Sequence, residues 1–196
     1  MKQNGTLVRT LLLSVCLILL TQCKKGEDDP AFTLRTRKAR VVGDWKATKG
    51  KSSYADEGPA FKNSSEIIYD GINYKGIETV SAGNDSQKSS FAGTFTYEIL
   101  IENNGRYKIT ETYNGKPFVS TGTWNFTGNI GDNKNKEQIV LTQNNYEGNS
   151  FKGNTIQQTF NIKELRNKKM VLYSHSSSEY NGYSQNQSEE FTFEHK

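Results

Sequence analysis

Cysteine is nearly absent from this sequence. Of 196 residues only Cys16 and Cys23 carry a thiol, and both lie in the first segment. The rest of the chain therefore has no disulfide framework, no thiol nucleophile and no cysteine-based zinc site. Histidine is as scarce. His175 and His195 stand alone, with no H-x-x-x-H or H-E pattern around them, and read as exposed strand or loop positions rather than metal ligands. The G-x-S-x-G, H-E-x-x-H and glycine-rich phosphate-loop patterns are also missing. Glu98 and Glu111 fall on neighbouring strands, but their parity puts them on opposite faces, so they make a poor catalytic pair. The expectation is a protein that is not an enzyme and holds no metal and no cofactor.

Long apolar runs are absent too, apart from one. "LLLSVCLILL", Leu11 to Leu20, follows Lys2 and Arg9, and no acidic residue precedes Glu27. A positive start and an apolar stretch of this size match a secretory signal. It is too short for a membrane-crossing helix, which needs about 20 apolar residues. The stretch ends in "LTQC", with Leu20 three residues before Cys23. This resembles the lipobox of bacterial lipoproteins, although Gln22 is bulkier than the usual residue before the cysteine. The resemblance implies removal of residues 1–22 and acylation of Cys23 on its thiol and its new amine. Two or more acyl chains hold a protein stably at a membrane where one does not. The implied location is the bacterial cell envelope, as an outer membrane lipoprotein, periplasmic or surface-exposed. Residues 23–38 then read as a lipidated tether. Its Glu27, Asp28 and Asp29 resemble the acidic export tag of some surface lipoproteins, or are simply solvated.

Strong charge of one sign is lacking once that segment is removed. Lys2 and Arg9 leave with it, and 23 basic residues face 21 acidic ones. Apart from "RTRKAR", Arg35 to Arg40, no basic cluster with interleaved aromatics occurs, so no nucleic-acid partner is expected. That run reads as the end of the tether.

What is present is aromatic: ten Phe, ten Tyr and two Trp among abundant Asn, Ser, Gly and Thr. Large rings can build a thin core where aliphatic residues are few. Period-two alternation, the mark of half-buried strands, runs through most of residues 39–196. "GTFTYEILIE" sets Phe95, Tyr97, Ile99 and Ile101 against Thr94, Thr96, Glu98 and Leu100. "NNGR" and "NGK" supply tight turns. "RYKITETY" and "PFVSTGTWNF" complete a three-strand meander from Gly93 to Phe126. "RVVGDWKAT", "SEIIYDG", "INYKGIETV", "QIVLTQ", "TIQQTFNIKEL", "MVLYSH" and "EEFTFEHK" read as further strands. Helical periodicity is limited to "LRTRKAR" and "SSFAG". The expected fold is all-β: an antiparallel up-and-down β-barrel of eight to ten strands, with a β-sandwich as the alternative.

Gly43 and Trp45 in "VVGDWKAT" form a G-x-W at the first strand, which resembles the opening of lipocalins. In that family the tryptophan plugs the closed end of the barrel. "FNIKELRNKKMVL" looks like the closing hairpin of bacterial lipocalin-like domains. The family's T-D-Y turn is missing, and Arg166, the nearest arginine that could stack on Trp45, comes one hairpin early. A lipocalin-like domain over residues 39–196 implies a small hydrophobic ligand. Phe95, Tyr97, Tyr107, Phe118, Trp124 and Phe160 are the candidate ligand-binding residues, or else they pack the barrel shut. Core-facing Ser120, Gly122 and Gln158 favour space and polar contacts inside. The alternative is a surface interaction protein recognising glycan or protein. It would use the loop or hairpin "YSHSSSEYNGYSQNQS", with Tyr180 and Tyr183 as recognition residues.

Overall fold

The computed structural model describes residues 26–30, 33–128, 136–146, 149–150 and 156–196. Cys16, Cys23 and the expected signal segment lie outside them. A short helix, α1 (Arg37–Val41), precedes eleven strands. These are β1 (Gly43–Gly58), β2 (Phe61–Tyr69), β3 (Asn73–Ala82), β4 (Asp85–Ile101), β5 (Arg106–Tyr113), β6 (Lys116–Thr127), β7 (Gln138–Tyr146), β8 (Asn149–Ser150), β9 (Ile156–Leu165), β10 (Lys169–Tyr180) and β11 (Tyr183–His195). Each strand except β8 pairs antiparallel with its successor, β7 also pairs with β9, and β11 closes on β1. The result is a closed up-and-down barrel of ten strands, with β8 a two-residue extension of the β7–β9 connection. "SSFAG" is not helical but lies inside β4.

The barrel is narrower at one end. From Gly43 to Lys46, β1 pairs directly with β4, from Ile101 to Glu98. From Gly50 onward it pairs with β2 instead. The switch coincides with a register shift against β11 between Ala47 and Lys49. A bulge of this kind bends a strand and re-aims it. The β2–β3 hairpin enters the gap point first. Its turn is tied by Asp70, whose carboxylate accepts the N–H groups of Ile72 at 3.2 Å and Asn73 at 2.8 Å. The base is thus ringed by eight strands and the mouth by ten. Barrel diameter grows with strand number, and eight strands leave an interior that side chains can just fill.

That is what the base shows. Trp45, Ile99, Ile139, Leu165 and Met170 are completely buried there, with Ile101, Ile162 and Phe193 at 1% exposure. Burying each such side chain is worth roughly 1.5–3 kcal/mol. Trp45 closes the floor and donates its indole N–H to the Val41 carbonyl at 2.8 Å. The ring of His195 lies against Trp45, tilted, with centroids 4.6 Å apart, and Arg166 pairs with Glu164.

The segment expected to be a tether is docked in its described part. Asp29 is 5% exposed. It accepts N–H groups from Leu165 and Gly26 and pairs with Arg37. The Asp28 N–H reaches the Lys163 carbonyl at 2.8 Å. Arg37 and Arg40, read as part of a basic tether, are buried on α1 against β9, where Arg40 donates to the Leu165 carbonyl. A guanidinium can enter such a site because its terminal nitrogens find acceptors, the Asp29 carboxylate for Arg37 and the Leu165 carbonyl for Arg40.

Most outward positions on β4 and β5 are polar, with Leu100 an exception. Thr94, Thr96 and Glu98 on β4, and Lys108, Thr110 and Thr112 on β5, alternate with the buried residues. A barrel crossing a bilayer would carry the reverse pattern, an apolar band outward.

Candidate functional site

Above the packed base the ten-strand mouth encloses a cavity of about 500 Å³. Small-molecule pockets typically run from ~300 to ~1,000 Å³. Its floor and walls are aromatic. Tyr69 meets Phe95 edge-on at 5.2 Å, Phe95 meets Tyr113 at 4.5 Å, and Tyr97 meets Phe191 edge-on at 5.3 Å. Tilted and edge-to-face rings at these distances are favourable beyond their buried area. Gly50 on β1 sits opposite Phe191, and a Cβ there would lie 2.5 Å from the ring carbons. The missing side chain lets the phenyl ring lie against β1.

The alternation in β4 and β5 that aims Phe95, Tyr97 and Ile109 inward also aims Glu111 inward, opposite Tyr97. Glu189 enters from β11, opposite Ser52. Ser120, Gln143 and Gln158 add neutral polar groups to the wall. Burial, and then the nearby Glu189 charge, push the Glu111 carboxyl above its usual range. Burial, and then the charges of Glu111 and Glu189, push the Tyr97 phenol well above its usual range. Tyr97 is the cross-strand neighbour of Glu111 and lines the cavity with both carboxylates. Lys51 contributes to the wall, but its ammonium pairs with Glu66 at 3.0 Å and is mostly exposed. Among the described residues no ion pair joins a cation to Glu111 or Glu189.

The six rings named from sequence separate into layers. Phe95, Tyr97 and Phe160 line the cavity. Tyr107 and Trp124 lie below it, where Tyr107 is opposite Gly122 and the Trp124 indole donates to the Glu102 carbonyl at 2.8 Å. Phe118 sits to the side, against Tyr113 at 6.2 Å and beneath the Lys116 ammonium. Glu98 points outward and accepts from Lys196 at 2.7 Å, so it does not share a face with Glu111. Tyr69, Glu189 and Phe191 were not foreseen as cavity residues. Alternation in "SEIIYDG" and "EEFTFEHK" held that signal, but only for which residues share a face.

Of the loop or hairpin expected around Tyr180 and Tyr183, the structure has the hairpin. The two tyrosines face each other at the tip of the β10–β11 hairpin, around Asn181 and Gly182, both with positive φ. Tyr180 is 76% exposed, and Tyr183 stands 6.2 Å from Phe61. His175 is exposed on β10, and among the described residues no cluster of metal-ligating side chains forms.

No protein family and no curated protein matches this chain. Among solved structures it is similar to a porin-like protein from Bacteroides uniformis. The identity is 10% and the TM-score 0.30, over 76% of this chain and 96% of that one.

Proposed function

We propose that this protein is a non-catalytic binding module of the bacterial envelope, lipid-anchored at Cys23, that holds a small hydrophobic ligand in the mouth of its barrel. The observation that carries the reading is the cavity: about 500 Å³, floored by aromatic rings and edged by a few polar groups. Pockets for small molecules have that make-up. The anchor rests on the "LTQC" resemblance. The docked Gly26–Pro30 segment adds geometry to it, since residues just after Cys23 pack at the closed end, beside Lys163. An acylated Cys23 would then hold the base toward the lipid and leave the mouth free.

A neutral, environment-sensitive dye such as N-phenyl-1-naphthylamine tests the cavity. It should bind the protein at one site and brighten. Ser120→Trp places an indole in the cavity and should abolish the signal while the sheet's circular dichroism persists. A dye that binds the filled variant as well as the native protein rules the reading out.

The exposed Tyr180 and Tyr183 at the hairpin tip, with Phe61 of β2 beside Tyr183, favour a second reading, recognition of glycan or protein at that tip. Rigid aromatic area beside small polar residues suits such contacts.

A further inference from the structure

We infer that the cavity selects an organic cation, an amine or quaternary ammonium group carried on an apolar body, with the cationic head between Glu111 and Glu189. This rests on the cavity reading above and narrows the ligand to one chemical class.

Two like charges from opposite walls converge on one enclosed, ring-lined space. Glu111 arrives from β5 and Glu189 from β11, and both line the cavity together with Tyr97, the cross-strand neighbour of Glu111. Neither carboxylate has a cationic partner among the described residues. The neighbour Glu189 does have is neutral, the Gln187 side-chain amide at 3.1 Å. Lys51, the other charged residue at the wall, is engaged with Glu66 on the outer face. In a packed protein such an arrangement costs stability, because a carboxylate loses water and faces a second one. A ligand that neutralises both removes that cost on binding.

The surrounding chemistry suits the same guest. Phe95, Tyr97 and Phe191 line the same cavity as the carboxylates, and aromatic faces attract cations, ammonium ligands included. The apolar body would rest deeper, against Tyr69 and Phe160. An anionic amphiphile such as a fatty acid would place its head against the two glutamates, which disfavours it. A neutral ligand leaves the carboxylates unpaired.

Three probes of one shape separate these cases by calorimetry on the full chain: benzyltrimethylammonium, its neutral carbon isostere neopentylbenzene, and phenylmethanesulfonate. The cation should bind about tenfold more tightly than the isostere, the scale of a desolvated cation–aromatic contact. The sulfonate should not bind. Glu111→Gln and Glu189→Gln should each weaken the cation several-fold. Together they should erase its advantage, while the neutral probe binds more tightly as charge leaves the cavity. Equal binding of cation and isostere, or a cation preference that survives both substitutions, overturns the inference and leaves the cavity reading standing. If no probe binds and the naphthylamine dye also fails, the cavity reading falls and takes this inference with it.

Discussion

The carboxylate of Asp29 receives the backbone N–H of Leu165 at 2.7 Å, across 136 positions of sequence. Its second oxygen pairs with Arg37, and both side chains are nearly inaccessible to solvent. One acidic residue in a run that reads as a charged spacer thus ties the N-terminal segment to the barrel's base.

Asp29→Ala should leave a buried, unpaired guanidinium. Removing one partner of a buried pair costs about 3–5 kcal/mol. Urea unfolding should show a loss of that order, with Arg37→Ala in the Asp29→Ala background costing much less than it does alone. A loss below about 1 kcal/mol, the scale of an exposed ion pair, would mean that the segment is not held there.

Glu111 should make stability fall with rising pH. Burial and Glu189 raise its folded-state pKa above the unfolded value, so the native protein holds the proton more tightly. Between the two pKa values stability declines as pH rises, and the cost is fully present above the folded pKa. Glu111→Gln should therefore unfold at a higher temperature than the native protein at pH 7, with the gap closing toward pH 4. A gap that is constant across this range argues against the burial of charge at this site.

Gly50→Val should force Phe191 off β1 and into the cavity. Overpacking of this kind costs about 1–3 kcal/mol. Stability and dye uptake should fall together. Retained uptake would show that Phe191 has another place to go.

Acylation can be read directly. Cells given radioactive palmitate should label the native protein and not Cys23→Ser, and the variant should leave the membrane fraction. Label on Cys23→Ser would refute the anchor.

Tyr180→Ala and Tyr183→Ala should change stability by no more than about 0.5 kcal/mol, as exposed surface positions do. If the hairpin tip recognises a glycan, the pair should lose its signal on a glycan array. An unchanged profile removes that reading.

Much of the barrel was legible. The Phe95–Ile101 alternation, the Asn-Gly turns at Asn104 and Asn114, and the Gly43-x-Trp45 opening are local features. The structure places β4, β5 and β6 where they point. The tail of the chain was harder to read. "YSHSSSEYNGYSQNQS" is too polar on both faces to signal a strand by alternation, yet it forms the upper halves of β10 and β11. There backbone pairing, with Asn181-Gly182 setting the turn, decides the structure. Asp29, Arg37 and Arg40 read as tether residues because charge is ordinarily exposed, and only their partners, each other and the β9 backbone, make burial possible.

The sequence by itself determined a β-protein with an aromatic interior, since side-chain alternation and turn chemistry act within a few residues. The tertiary structure alone decided that β1 changes partner from β4 to β2, and with it that the base is full and the mouth hollow. It also decided that Glu111 and Glu189 share that hollow. Both depend on ring closure, which sets distances between strands far apart in the chain, and alternation along one strand carries no information about which residue lies across the barrel.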